Sequence, residues 1–128
     1  MQRAAMLGLA CVLVSASTLA QERKPLTAAD MQALLAKGLQ VSSSDLKGGK
    51  EFTGRITLAA DGKLTGTVTP TGDKAIPVSG IWKLKGAQLC RTLPPIQPEE
   101  VCETWIRTGA KEAIIQVGGK DASVNRWQ

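Results

Sequence analysis

The side chains able to do chemistry crowd into one late stretch of the chain. From Gly80 to Trp105 the sequence reads GIWKLKGAQLCRTLPPIQPEEVCETW. It holds Cys90, Cys102, Trp82, Trp105, Arg91, the carboxylates Glu99, Glu100 and Glu103, and the prolines Pro94, Pro95 and Pro98. Arg107 follows two residues later. Two cysteines near carboxylates raise three chemistries: a metal site, a redox pair or a covalent staple. A structural zinc site needs about four ligands, drawn mostly from Cys and His, and this chain has no histidine. A redox dithiol favours C-x-x-C spacing at the start of a helix, whereas eleven residues separate Cys90 from Cys102. The prolines between them are turn residues that let the chain reverse and bring the two cysteines together. A Cys90–Cys102 disulfide is therefore expected. A bridge over a loop of that size stabilises a fold by roughly 3 kcal/mol in the chain-entropy model.

The missing residue types restrict catalysis. Without histidine there is no Ser-His-Asp or Cys-His arrangement. Tyrosine is absent too, which leaves only Met or Cys among the usual haem ligands. No phosphate-binding P-loop, dinucleotide fingerprint or calcium loop occurs. Glu99, Glu100 and Glu103 could supply the carboxylate pair of a glycoside hydrolase, but the prolines around them suggest a solvated surface turn. No catalytic residue, cofactor or metal is expected. The candidate binding residues are Trp105, Arg91 and Arg107. The two arginines flank the cysteines, and on paired strands they could converge on one anion; otherwise both point to water. Trp82 shares an apolar strand face with Val78 and Leu84 and belongs to the core. Trp105, which shares its face with Val101, Glu103 and Arg107, fits either a core or a binding lip. Trp127 either closes the fold or lies exposed.

The elements that position these residues begin after residue 20. Residues 1–20 read MQRAAMLGLACVLVSASTLA, with Arg3 first, an apolar run from Ala4 to Val14 and small residues up to Ala20. That is the pattern of a cleaved secretory signal peptide, and the run is too short to span a bilayer as a helix. Cys11 lies inside the apolar run rather than at its end, which argues against lipid attachment. Export would place the remaining cysteines in an oxidising compartment, periplasmic or extracellular. The expected mature chain, 21–128, has a length suited to one domain. Removing Arg3 leaves 15 basic against 11 acidic residues, a net charge of +4. The basic residues are scattered, so no nucleic-acid tract is present, and the charge serves solubility first. No transmembrane segment is expected in the mature chain, and a monomer is expected.

One segment reads as a helix: LTAADMQALLAKG, residues 26–38. Thr27 is its N-cap and Asp30 sits at the third position of an imperfect capping box. Leu26 and Met31 are spaced for a hydrophobic staple, and Met31, Leu34 and Leu35 share one face. From Leu39 onward the apolar period becomes two. Phe52 to Leu58 and Leu64 to Thr69 alternate around Asp61-Gly62, a strong hairpin turn. A turn-rich connection covers Pro70 to Pro77. Further strands are expected at Val78–Leu84, Gln88–Leu93, Val101–Arg107, Glu112–Val117 and Ala122–Trp127. About seven or eight short strands after one helix imply a mainly β fold, a small antiparallel barrel or sandwich.

Gly80, Trp82, Gly86, Leu89, Cys90, Cys102 and Trp105 form an ordered pattern, preceded by LTAADMQALLAKG and DGKLTG and ending in CETWIRTG. This pattern resembles small exported proteobacterial proteins of the DUF995 type, a family of unknown function. The resemblance covers most of the expected mature chain and implies no activity. It departs after the first cysteine, where Arg91-Thr92-Leu93 stands in place of an early aromatic residue. Taken together, these features lead us to expect a non-enzymatic binding module of the cell envelope, taking a small ligand in a barrel mouth or a protein partner on its loops. The alternative is a proteinaceous inhibitor of a protease or lysozyme, with the loop Leu93 to Pro98 as its inserting element.

Overall fold

The computed structural model describes residues 23–128. The expected signal segment, with Cys11, lies outside them. Alternating residues drive nearly every element. Eight strands follow one another as an antiparallel meander: β2 (Leu39–Ser44), β3 (Phe52–Leu58), β4 (Lys63–Pro70), β5 (Ile76–Lys85), β6 (Gln88–Leu93), β7 (Gln97–Gly109), β8 (Glu112–Val117) and β9 (Lys120–Arg126). The last strand returns to the first, so the sheet closes into a barrel, not a sandwich. The closing seam is narrow: β2 meets β9 at only Ser42–Arg126, Ser43–Asn125 and Ser44–Val124. A short β1 (Lys24–Pro25) adds to the edge of β7 through Ile106 and Arg107.

The helix α1 (Ala28–Leu35) is shorter than expected, but its capping is complete. The Asp30 N–H donates to Thr27 Oγ1 at 3.1 Å and the Thr27 N–H donates back to Asp30 Oδ2 at 3.0 Å. Eight residues cannot hold a helix in water unaided. Packing supplies the rest. Leu26, Met31 and Leu35 are buried in one cluster with Val41, Leu58, Leu64, Leu89, Trp105 and Ile115. The helix thus plugs one end of the barrel. The Asp61-Gly62 hairpin forms at that same end, as expected, with Gly62 at φ 94° and Asp61 Oδ1 accepting from the Lys63 N–H at 3.0 Å.

Several boundaries differ from expectation, two of them in proline-containing segments. β5 starts at Ile76, inside the segment read as a connection. β7 starts at Gln97, inside the segment read as a loop. In both places the prolines lie at strand ends or outer positions, where a missing N–H costs the ladder little.

At the far end, the β2–β3 loop is built around Asp45, which is 2% exposed. Its carboxylate accepts from the backbone N–H groups of Lys47 (2.7 Å), Gly49 (3.3 Å), Glu51 (2.7 Å) and Phe52 (2.9 Å). Burial alone would favour the neutral acid. The four N–H donors outweigh it and hold the carboxyl well below the usual range.

Candidate ligand-binding site

Cys90 and Cys102 are directly opposed on β6 and β7 and joined by a disulfide, with Cα atoms 3.9 Å apart. The bridge is on the outer face. Glu100 lies beside it, held by Lys85 at 2.8 Å and Lys83 at 3.4 Å. Cys90, Cys102 and Glu100 bring their ligand atoms within 4.8 Å of one another, but the S–S bond occupies both sulfurs.

Because side chains alternate along a strand, the neighbours of outward cysteines point inward. Leu89, Arg91 and Leu93 on β6, and Glu103 and Trp105 on β7, all line the barrel interior. There Arg91 Nε donates to Glu103 Oε2 at 3.0 Å, and the two side chains are only 15% and 6% exposed. Trp105 Nε1 donates to the other carboxylate oxygen, Oε1, at 2.9 Å. Arg91 Nη1 donates to Gln97 Oε1 at 2.6 Å. Burial pushes the Glu103 carboxyl up, and this outweighs the opposing pull of the Arg91 guanidinium and the two hydrogen bonds.

These groups line a cavity of about 430 Å³, within the range of about 300–1,000 Å³ typical of small-molecule sites. Eight strands give a barrel wide enough either to be filled by side chains or to hold one small ligand. The core fills the helix-plugged half of this one and leaves the other half open. The wall is mainly apolar, from Phe52, Ile56, Val68, Ile76, Leu93 and Trp105. The turn at Pro94-Pro95-Ile96 sits at the rim, where Ile96 is 42% exposed. Opposite Arg91, Ser43 Oγ donates to Asn125 Oδ1 at 2.6 Å, and Asn125 is only 7% exposed.

Of the expected binding residues, Trp105 and Arg91 meet in this cavity. Trp105 is both core and lining: it is 1% exposed and its ring lies 5.9 Å from that of Trp127, which closes the plugged end. Arg107 does not join them. It lies toward the helix end and donates to the carbonyls of Ala110 at 3.0 Å and Gly109 at 3.4 Å, bracing the β7–β8 turn. The two arginines therefore do not converge on one anion, and Arg91 does not point to water. The reading of Glu103 as part of a solvated turn is also corrected. Glu100 is on the outer face as that reading implies, but Glu103 is buried on β7. Trp82 is core-packed as expected, and its Nε1 donates to the Ala59 carbonyl at 2.9 Å. Asn125, Ser43 and Gln97 were not foreseen. An inward polar residue at period two looks no different in sequence from an outward one.

The chain matches no protein-family model, no curated protein and no solved structure. No helix among the described residues is long and apolar enough to cross a membrane.

Proposed function

We propose that this is a non-enzymatic binding protein of the periplasm or extracellular space that holds one small, largely apolar molecule inside its barrel and acts as a monomer. The observation that carries the proposal is the half-open interior, an apolar cavity of about 430 Å³ with a few buried polar side chains set into its wall. Apolar walls with a few convergent polar groups are the usual make-up of small-ligand sites. The expected signal segment and the Cys90–Cys102 bridge support an oxidising location. The inhibitor alternative needs a free inserting loop. The turn between β6 and β7 is short, with Leu93 pairing with Gln97 and both Leu93 and Ile96 turned to the cavity, so no observation favours that alternative.

The test is titration with N-phenyl-1-naphthylamine, a neutral apolar fluorophore. The proposal expects saturable one-to-one binding that is lost in Val68→Trp, a variant that fills the cavity, provided its melting curve shows it folded. Equal binding by both proteins would place the probe on the surface and overturn the proposal.

A further inference from the structure

The hydrogen bonds already made inside the cavity indicate what its ligand must offer. Each carbonyl and carboxylate side-chain oxygen of the buried network already accepts a bond. Glu103 Oε1 takes Trp105, Glu103 Oε2 and Gln97 Oε1 take Arg91, and Asn125 Oδ1 takes Ser43. Among the described residues the Gln97 amide nitrogen, at the exposed rim, has no partner, and neither do two deeper nitrogens, Nη2 of Arg91 and Nδ2 of Asn125. Both residues line the cavity, and Asn125 is more than nine-tenths buried. A buried donor left unpaired costs free energy, so the pair of them marks a place for something else. Apart from the hydroxyl oxygens of Ser43 and Ser123, which also line the cavity, the open capacity of these side chains is on N–H donors.

We infer that the cavity selects an apolar carboxylic acid, its body against the wall around Trp105 and its oxygens taking the free N–H groups of Arg91 and Asn125. The inference rests on the binding-protein reading above and adds the polarity of the ligand's head. A planar guanidinium with one edge still free is suited to a carboxylate. An amine head would be repelled by the Arg91 guanidinium and would find only the Ser43 and Ser123 hydroxyls open to accept from it, and an alcohol would satisfy one donor without charge assistance. Glu103 does not bar an anion. Both its oxygens are engaged, and its burial already favours the neutral acid should a second carboxylate arrive. The scattered positive charge of the chain also favours approach of anions over cations.

The experiment is calorimetric titration of the full disulfide-bonded domain with laurate, the alcohol of the same chain and the amine of the same chain, beside the naphthylamine probe. Laurate should bind one-to-one, roughly tenfold or more tighter than the alcohol, and the amine should not bind. Asn125→Asp, which puts a carboxylate oxygen where the donors stand, should weaken laurate by at least roughly tenfold more than it weakens the neutral probe. Arg91→Lys, which keeps the charge but loses the planar fork, should weaken laurate more than it weakens the probe. If the probe binds but the three heads bind alike, the head-group inference fails and the binding-protein reading stands. If Asn125→Asp binds laurate as well as the parent does, the donor assignment fails. If neither the probe nor any chain binds, both fail.

Discussion

Arg91 and Glu103 meet inside the barrel at 3.0 Å, and each follows one of two cysteines bridged on the outside. The bridge and the buried pair are two faces of one strand register. Cys90 faces Cys102, which places Arg91 opposite Val101 and Leu89 opposite Glu103, so the charged pair is diagonal. A slip of one residue would send the ion pair to solvent and the cysteines to the interior. The disulfide therefore does more than close a loop: it holds the register that assembles the polar wall of the cavity.

The double variant Cys90→Ser/Cys102→Ser should lose roughly 3 kcal/mol of stability, a fall in thermal midpoint of roughly 10–20 °C for a domain of this size. Circular dichroism melts with and without reductant check it. The parent under reductant should match the variant. An unchanged midpoint would mean that the hairpin holds its register without the bridge.

Removing one partner of the buried pair should be worse than removing both. Arg91→Met leaves an uncompensated carboxylate inside the barrel and should cost about 3–5 kcal/mol. Arg91→Met/Glu103→Leu should recover most of that loss, and denaturant titration of the two variants separates the cases.

Glu103 also sets a pH dependence. Its folded pKa is raised above the unfolded value of about 4.3. Its contribution to stability is therefore complete below about pH 4 and is lost as pH rises through the folded value. Glu103→Gln should gain on the parent as pH rises above about pH 4, measured as the difference between their unfolding free energies. Parallel curves, or a variant that loses ground as pH rises, would contradict this account.

Much of the architecture was legible in the sequence. Thr27 and Asp30 marked the helix start, Asp61-Gly62 the hairpin, and alternation from Phe52 onward the strands. These are local signals, and the structure keeps them. Glu103 was harder to read. Its neighbours Pro98, Glu99 and Glu100 look like a solvated turn, while the opposing signal was only its period-two spacing from Val101 and Trp105. Tertiary closure decided between them. Asn125 and Ser43 are further apart in sequence and meet only across the closing seam, so no local pattern could join them. The cavity itself depends on how completely the closed barrel is filled, which no strand pattern records.

Asp45 carries the opposite pH signature to Glu103. Its carboxyl is held low by four backbone donors, so its contribution is present above the unfolded pKa of about 3.9 and is lost as pH falls through the folded value. Asp45→Ala should lower the thermal midpoint and speed hydrogen exchange at the Lys47, Glu51 and Phe52 amides. Protection unchanged at those amides would show that the loop holds itself without the carboxylate.

Gly66 permits a close approach of β3 and β4. A Cβ there would collide with the Arg55 carbonyl oxygen, which is backbone and cannot swing away. Gly66→Ala should cost at least about 1–3 kcal/mol, as overpacking does, with Gly109→Ala, whose added Cβ would meet only Glu112 Cβ at an ordinary 3.6 Å, as the comparison in a denaturant series.

The most direct test of the central claim is a heteronuclear NMR titration with the neutral naphthylamine probe, following the indole Nε1–H of Trp105 and the methyl groups of Val68, Leu93 and Ile76. An occupied barrel interior predicts that these inward signals shift together and saturate at one equivalent, while the outward Thr57, Thr65 and Thr67 signals stay in place. Shifts confined to the outer face, or none at saturating probe, would contradict it.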